Sequence, residues 1–314
     1  EILSGLVGSE MCIRDRGNAA ADSGKYMESI TEGETMIPFD FVYCRPDTLN
    51  EVTDTFKRYQ NENKKAICYG GGSEIITMCR VSSIHPDVVV DIKKIPECRV
   101  LEKDDCFLNI GAACTLNQIK ESKLFPLLGL ACGRIADHTN QCRITLGGNL
   151  CGTIIYRETS LPLLLSDAEV TTSGPDGIRR VPFQNIFDGR VRLKEGEWIV
   201  QVHIPVWALQ ARHAHIKKTT QEKIDYPLVN VTAIWKDDVL RTAFSGICSR
   251  PFRSSQIEAV LNDHGLSPEI RAEKAAELLP EPPYHDVEGS SEYRAFVFRN
   301  TLCELLEAWQ NDRA

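Results

Sequence analysis

Apolar positions after residue 36 switch between the spacing of strands and the spacing of helices. Residues 39–43 alternate apolar and polar side chains, as in a short strand. Thr48 and Glu51 form a capping box. An amphipathic helix of about four turns follows it, with apolar residues at Leu49, Val52, Phe56 and Tyr59. Further strands over residues 65–69 and 88–92 complete a small α/β unit, for which we predict parallel pairing.

The next stretch has the pattern of antiparallel hairpins. Residues 100–111 form one hairpin around an acidic turn, and residues 168–181 form another around a turn with glycine and proline. Residues 198–205 are strongly β-patterned and predict a closing strand. Between the hairpins we predict a short helix capped by Thr115, a helix over about residues 124–136, a polar loop over residues 137–143 and a short apolar helix over residues 161–165.

The pattern changes again near residue 207. Three antiparallel strands are predicted over residues 211–219, 229–235 and 240–247. Helices are then predicted over residues 253–262, 268–279 and 291–309, with a surface linker at residues 280–283. We therefore predict an α+β chain with a first domain over residues 36–206, in lobes of about 36–95 and 96–206, and a second domain over residues 207–314.

The first 25 residues differ from the rest. Residues 6–16 show neither helical nor strand period and resemble a translated sequencing-adaptor fragment. The segment lacks the basic start and long apolar core of a signal peptide. We expect residues 1–25 to be a non-native or disordered leader and place the natural start near Met27 or Met36.

Composition and charge exclude several classes of protein. The 314 residues are 42% hydrophobic and 25% charged, as in globular proteins, and the net charge of −8 disfavours nucleic-acid binding. No apolar run approaches the roughly 18–20 residues that span a bilayer. The twelve cysteines include no Cys-x-x-Cys pair, so we expect free thiols in the cytoplasm. His213 and His215 lack a third ligand nearby, so we interpret them as polar residues on an exposed strand face rather than a metal site.

Two glycine-rich segments are the candidate chemistry. Residues 70–72 are three glycines between an apolar strand and a helix, and their backbone N–H groups could form a nest for phosphate or simply a tight turn. Ile75 stands where a Rossmann fingerprint needs its last small residue, and the ending of a P-loop is also missing. Residues 145–151 have the same character. Together they suggest two walls around one phosphate-bearing ligand.

The order of these segments resembles a known family. Residues 70–75 resemble the first FAD-binding loop of the medium subunits of molybdenum hydroxylases, which include xanthine dehydrogenase and carbon monoxide dehydrogenase, and residues 145–150 resemble the second loop. Residues 110–116, 161–170 and 289–294 are similar as well, so that the likeness covers about residues 36–312. The resemblance implies a two-lobed FAD-binding domain of the vanillyl-alcohol-oxidase (PCMH) type and the C-terminal domain of a molybdopterin dehydrogenase flavin subunit.

The resemblance also implies a set of cofactor-binding residues. The backbone of the two loops would hold the FAD pyrophosphate, Glu158 would lie near a sugar, Trp198 and Ile199 would flank the adenine, and Lys217 would approach the flavin. For Lys217 the alternative is a solvated strand lysine. The full predicted set is Cys68, Tyr69, Gly70, Gly71, Gly72, Ser73, Glu74, Ile75, Thr145, Gly147, Gly148, Asn149, Cys151, Glu158, Trp198, Ile199 and Lys217.

Some positions depart from the pattern of the family. The usual Arg-Asn-Arg before the second loop is here Gln141-Cys142-Arg143, so one positive charge is lost. Glu158 replaces the usual Asp, and bulkier residues 152–157 replace a stretch of small ones. Tyr156 and Arg157 are thereby expected near the flavin. They could shape nicotinamide access, form a subunit contact or only fill the surface.

The implied function is electron transfer. The chain would be the FAD subunit of a molybdenum hydroxylase complex that passes electrons from iron–sulfur clusters through FAD to NAD or another acceptor. Its partners would be a large molybdopterin subunit and a small two-iron, two-sulfur subunit. No catalytic acid–base pair is expected, because hydride transfer needs none. The alternatives are a self-contained flavin reductase or oxidase on the same fold, and a scaffold subunit that has lost FAD.

Overall fold

The computed structural model describes residues 36–311. The predicted leader, residues 1–25, and the alternative start at Met27 lie outside the described residues. Within residues 36–311, no helix combines the length and the apolar character needed to cross a membrane.

A small parallel sheet forms the first layer. Its elements are β1 (Val42–Cys44), α1 (Leu49–Asn61), β2 (Ala66–Tyr69), α2 (Ile75–Arg80) and β3 (Val88–Asp91). The strand order is β1-β3-β2 with both pairings parallel, which confirms the predicted α/β unit. The Thr48 hydroxyl accepts the N–H of Glu51 and begins α1 as predicted. The Glu51 carboxylate, however, accepts the N–H of Asp47 (2.7 Å) rather than that of Thr48.

A five-stranded antiparallel sheet forms the second layer, in the order β4-β5-β8-β6-β7. Its strands are β4 (Leu101–Lys103), β5 (Phe107–Gly111), β6 (Glu169–Gly174), β7 (Gly177–Pro182) and β8 (Trp198–Pro205). Both predicted hairpins are present, and β8 lies at the centre, paired with β5 and β6. The helices of this layer are α3 (Leu116–Ser122), α4 (Pro126–Cys132), α5 (His138–Gln141), α6 (Leu146–Cys151), α7 (Ser160–Leu165) and α8 (Val206–Leu209). Single 3₁₀ turns are formed by Pro96–Arg99 and Phe183–Asn185.

The helix boundaries between residues 124 and 151 correct the prediction. The helix predicted to run to about residue 136 ends at Cys132, with Gly133 at its C-cap. The predicted polar loop contains α5, because the Asp137 side chain accepts the N–H of Asn140 and caps a short turn. The second glycine segment is itself helical, capped by the Thr145 hydroxyl on the N–H of Gly148.

The C-terminal layer has four strands where three were predicted, in the antiparallel order β12-β11-β10-β9. They are β9 (His213–Lys218), β10 (Val229–Lys236), β11 (Val239–Ser245) and β12 (Phe252–Arg253). The missed strand β12 has two residues, too few to show an alternating pattern. The helices α9 (Ser255–Leu261), α10 (Pro268–Glu277) and α11 (Ser291–Asn311) cover this sheet.

Two hydrophobic cores stabilise these layers. The parallel sheet and the five-stranded sheet share one core, in which Val52 and Val88 belong to the same cluster as Leu108 and Val202. The C-terminal sheet and its helices enclose a separate core that includes Phe244 and Phe298, whose rings meet edge to face. Burial of apolar side chains is the main stabilising contribution in both cores. The predicted domain limits at residues 36–206 and 207–314 stay predictions.

Candidate functional site

The two glycine segments lie in direct contact with each other. A Cβ on Gly70 would lie 2.6 Å from the Thr145 hydroxyl oxygen, and a Cβ on Gly71 would overlap the carbonyl oxygen of Arg143. Glycine at both positions therefore lets the segment after β2 approach the segment before α6. The two predicted walls therefore touch each other, at residues 70–71 and 143–145.

The first segment presents free backbone donors. Gly72 has φ of +72°, a left-handed conformation that favours glycine, and the chain then turns into α2. The backbone N–H groups of Gly71, Gly72 and Ser73 donate to no acceptor within residues 36–311. Successive unpaired N–H groups at a sharp turn form a concave site for an anion.

The backbone N–H groups of the second glycine segment are already hydrogen-bonded within the protein. The N–H of Gly147 donates to the carbonyl of Ala112 (2.9 Å), and that of Gly148 donates to the Thr145 hydroxyl (3.2 Å). The N–H of Asn149 donates to the carbonyl of Thr145 (2.8 Å), as expected in a helix. The expectation that these three N–H groups hold phosphate is therefore not supported by the geometry. The Asn149 side-chain oxygen accepts the Thr159 hydroxyl (2.6 Å).

Two positive charges lie beside the glycine contact. The Lys93 ammonium donates to the Gly70 carbonyl (2.9 Å) and to Asp91 (2.8 Å), and it lies 4.2 Å from the centre of the Tyr69 ring. Burial lowers the pKa of Lys93, and Asp91 opposes that change. Arg143 is exposed and forms no ion pair within the described part of the chain. Burial raises the pKa of Tyr69, and the nearby Arg143 charge acts against the rise.

Glu74 connects the first glycine segment by hydrogen bonds to the residues that follow α6. Its carboxylate accepts the backbone N–H of Thr153 (2.6 Å) and the hydroxyl of the same residue. A Cβ on Gly152 would lie 2.5 Å from the Glu74 carboxylate, so the glycine allows this contact. Glu74, predicted to bind the cofactor, thus holds the stretch of residues 152–157 against α2.

Glu158 and Lys217 form a buried ion pair. Their charged atoms lie 2.8 Å apart, and their side chains are 5% and 1% exposed. The Lys217 ammonium also donates to the carbonyl of Arg134 (2.6 Å), and the Asn230 amide donates to Glu158 (3.0 Å). Burial raises the pKa of the Glu158 carboxyl, whereas Lys217 and Asn230 favour its charged form. The alternative of a solvated lysine is wrong.

His215 extends this buried polar group. The Asn230 amide donates to its Nε2 (3.3 Å), and burial, together with the positive charges of Arg134 and Lys217, lowers the pKa of His215 to about 3. The interpretation of His213 and His215 as residues on an exposed face is wrong, because both are partly buried. Within residues 36–311, no three His, Cys, Asp or Glu side chains are grouped as metal ligands.

The remaining predicted residues differ in exposure: Ile75 and Cys68 are partly buried, and Cys151 is exposed as a residue although protein atoms enclose its sulfur. Trp198 and Ile199 begin β8 and are 3% and 4% exposed, and the Trp198 indole N–H has no partner within the described residues. Burial raises the pKa of the Cys68 thiol and raises that of Cys151 to about 12. Neither thiol is therefore suited to nucleophilic chemistry at neutral pH.

Comparison with known proteins identifies this arrangement. The model of the FAD binding domain in molybdopterin dehydrogenase matches residues 38–207, more than half of the chain. The chain belongs to this family. The predicted family and the predicted FAD cofactor are thereby confirmed, and the chain is an FAD-binding oxidoreductase subunit of the molybdenum hydroxylase type.

Relatives of the family align over nearly their whole length. The chain is 26% identical over 278 residues to the glyceraldehyde dehydrogenase medium chain of Sulfolobus acidocaldarius, covering 84% of this chain and 96% of that protein. It is 28% identical to the 6-hydroxypseudooxynicotine dehydrogenase complex subunit alpha of Paenarthrobacter nicotinovorans, covering 85% and 93%. A structure of carbon monoxide dehydrogenase from Hydrogenophaga pseudoflava shares the fold, with a TM-score of 0.76, 24% identity, and coverage of 87% and 99%. The predicted fold class is confirmed.

The residues present fit an FAD. A dinucleotide carries a diphosphate, and the free N–H groups of residues 71–73 beside the unpaired Arg143 offer donors and positive charge to such a group. The unpaired Trp198 indole N–H is a buried donor that lacks an acceptor. When bound, FAD would supply the redox chemistry.

The structure adds residues that the sequence did not single out. Lys93 follows β3, and Tyr226 precedes β10 with its ring stacked on Tyr156 at 4.9 Å between centroids. Lys93 had a sequence signal, because it follows a parallel strand beside the glycine strand. No local sequence pattern indicates Tyr226, because its stacking partner lies far away in the chain.

Tyr156 is buried, so the suggestion that it only fills the surface is wrong. Arg157 donates to the carbonyls of Gly152 (2.9 Å) and Gly189 (3.0 Å).

Proposed function

We propose that this chain is the FAD-carrying medium subunit of a multi-subunit dehydrogenase and that residues 70–75 with Arg143 hold the diphosphate of FAD. The observation that carries the proposal is the run of three unpaired N–H groups at Gly71, Gly72 and Ser73, next to a guanidinium without an ion-pair partner in residues 36–311. Charge-assisted hydrogen bonds to phosphate are roughly twice as strong as neutral ones.

The other predicted contacts are assigned from resemblance to the family. Trp198 and Ile199 flank the adenine, Glu158 approaches a sugar and Lys217 approaches the flavin. In support, Glu158 and Lys217 are paired and buried where β9 meets the segment before α7. From the same resemblance we also assign to the site Cys68, Tyr69, Thr145, Gly147, Gly148, Asn149 and Cys151.

The partners are assigned from the same family. Two relatives are named as one chain of a dehydrogenase, a medium chain and a subunit alpha of a complex. We assign to this chain a large subunit with molybdopterin and a small subunit with two-iron, two-sulfur clusters, which deliver electrons to FAD, and NAD or another molecule as the acceptor. The eleven cysteines of the described residues are all free thiols, which supports a reducing compartment such as the cytoplasm.

The test is the visible spectrum of the purified chain and its affinity for FAD. Arg143→Gln removes one charge-assisted contact to the diphosphate, so we expect the Kd for FAD to rise about tenfold, more at low salt than at high salt. Arg58→Gln is the matched control, since Arg58 pairs with Glu62 on the exposed face of α1 and its loss leaves FAD affinity unchanged.

Other outcomes separate the alternatives. A chain with no bound flavin and no uptake of added FAD would support the scaffold subunit. FAD binding combined with reduction of a small substrate by NADPH, without partner chains, would support the self-contained reductase. Equal FAD affinity of the Arg143→Gln variant and the wild type would show that the diphosphate lies elsewhere.

A further inference from the structure

A pair of stacked tyrosines lies at the edge of the proposed site. The rings of Tyr156 and Tyr226 are 4.9 Å apart between centroids and inclined by 22°. Tyr156 is 7% exposed, whereas Tyr226 is 49% exposed. Tyr156 therefore covers one face of the Tyr226 ring from inside the protein, and Tyr226 itself is half-exposed. Such a stack fixes the orientation of an aromatic ring.

One polar network fixes both the ring of Tyr156 and the backbone next to Tyr226. The Tyr156 hydroxyl donates to Asp286 (3.1 Å), and Asp286 is paired with Arg294, a fully buried residue. The Arg294 guanidinium also donates to the carbonyls of the two residues that follow Tyr226, at 3.0 and 2.8 Å. The position of Tyr226 is thus fixed by the stack on one side and by the contacts of Arg294 with the next two residues on the other.

Tyr226 lies between the two halves of the proposed site. Its ring stacks on Tyr156, and it precedes β10, whose Asn230 donates to Glu158. Burial raises the pKa of the Tyr226 phenol, and the carboxylates of Glu74 and Glu158 add to the rise. The Glu74 carboxylate accepts the N–H of Thr153, shortly before Tyr156, and Glu158, shortly after Tyr156, belongs to the buried pair with Lys217. The half-exposed Tyr226, stacked on Tyr156, therefore lies at the protein surface beside these two contacts, and we call this surface the mouth of the proposed site.

We propose that Tyr156 is a positioning residue that holds the Tyr226 ring across this mouth and thereby limits the size of the electron acceptor that reaches the cofactor. The proposal rests on the proposed function, because it needs FAD in the proposed site. It gives a role to Tyr156, which stands in the bulky stretch of residues 152–157. The aromatic ring of Tyr156 is the essential part, since it makes the stack, and its hydroxyl makes only one further contact.

The test uses the full chain loaded with FAD, reduced under anaerobic conditions and mixed with an excess of a quinone. Each quinone takes two electrons and two protons and becomes a hydroquinone, so the reoxidation rate reports access. The probes are 1,4-benzoquinone, which is compact, and menadione, which carries a second ring. Tyr156→Leu removes the stack, and we expect the ratio of the menadione rate to the benzoquinone rate to rise about tenfold.

Two further variants and a circular dichroism spectrum distinguish a positioning role of Tyr156 from a general effect of its substitution on folding. Tyr156→Phe keeps the stack and should change the ratio less than about twofold. Tyr293→Leu, a half-exposed tyrosine on α11, is the control and should leave the ratio unchanged. Near-ultraviolet circular dichroism should lose the tyrosine signal of the stack in Tyr156→Leu and retain it in Tyr156→Phe. If Tyr156→Leu does not fold, Tyr226→Leu serves instead, with the same expected rise.

The outcomes distinguish this proposal from the proposed function. Wild-type protein without FAD would overturn the proposed function. Full FAD content with an unchanged rate ratio in Tyr156→Leu, or in Tyr226→Leu if that variant replaces it, would overturn the positioning role alone. A rise in both quinone rates by the same factor would also overturn it, because general exposure of the cofactor does not select by size.

Discussion

At the residue scale, the absence of a side chain at Gly71 serves the contact between the two glycine segments rather than the approach of a ligand. The sequence suggested that the glycines let backbone amides approach a phosphate, whereas the structure places the Arg143 carbonyl where a Cβ of residue 71 would stand. The glycines bring the two segments together, and the ligand donors are the N–H groups that this contact leaves free.

Gly71→Ala tests that interpretation. The added methyl group overlaps the Arg143 carbonyl, so the two segments must separate, and we expect a lower Tm and at least tenfold weaker FAD binding. Gly129→Ala in α4 is the matched control, because its Cβ would meet only ordinary contacts at 3.7 Å and should stabilise the helix by about 0.5–1 kcal/mol. Thermal unfolding and flavin titration measure both. An unchanged FAD affinity in Gly71→Ala would contradict the predicted link between the contact and binding.

At the scale of elements, the sequence predicted those helices and strands whose apolar pattern repeats over several residues. The amphipathic α1, the two hairpins and the strand β8 are present because their apolar patterns extend over many positions. Elements that were missed include α5 and β12, which have four and two residues, about one period of a helix and of a strand. Within the site, the family pattern pointed to Glu158 and Lys217. That they contact each other across 59 residues could not be predicted, because no local pattern encodes it.

That contact between β9 and the segment before α7 gives a prediction for stability. Lys217→Met leaves the Glu158 carboxylate buried without a charge partner, so we expect a loss of about 3–5 kcal/mol in the free energy of unfolding. The double variant Lys217→Met with Glu158→Gln should recover most of that loss, since no charge stays buried. Urea denaturation of the single and double variants measures the coupling.

A neighbouring lysine provides the control for this cycle. Lys218 pairs with Glu304 on the surface, where the side chains are 40% and 54% exposed. Lys218→Met should therefore change the free energy of unfolding by less than about 1 kcal/mol. Equal losses for Lys217→Met and Lys218→Met would show that the buried pair has no special role.

At the scale of the whole molecule, charged side chains of the C-terminal sheet form hydrogen bonds and ion pairs with residues at the end of α7. Arg253 donates to the carbonyl of Leu164 (2.9 Å), and Arg241 donates to that of Leu165 (3.2 Å) and pairs with Asp167 (2.7 Å). Lys236 pairs with Asp167 as well (2.8 Å). Together with the Glu158–Lys217 pair, these contacts hold the C-terminal sheet against α7 and the residues on either side of it.

The stability of the whole fold should depend on pH through two neutral histidines. Burial lowers the pKa of His203 to about 4 and that of His215 to about 3, both below the ordinary value of about 6.5. Below pH 6.5 the unfolded chain binds protons at these residues and the folded chain does not. The free energy of unfolding should therefore fall by about 1 kcal/mol or more for each histidine between pH 6.5 and 5.

Urea denaturation at several pH values measures this slope. His215→Asn should reduce the slope over this range, because one of the two groups no longer titrates. His285→Asn, at an exposed position, should leave the slope unchanged. A wild-type stability that stays constant from pH 6.5 to 5 would contradict the buried, neutral state of both histidines.

The position of Arg294 in the chain has a consequence for biosynthesis. Its guanidinium holds the carbonyls of Pro227, Leu228 and Gly246, yet it is made about fifty residues or more after each of them. During translation, the backbone beside Tyr226 therefore lacks its anchor until α11 has left the ribosome. FAD that reaches the chain earlier meets a site in which the backbone beside Tyr226 is not yet held by Arg294. The nascent chain should thus acquire its cofactor only after α11 has been synthesised and has docked.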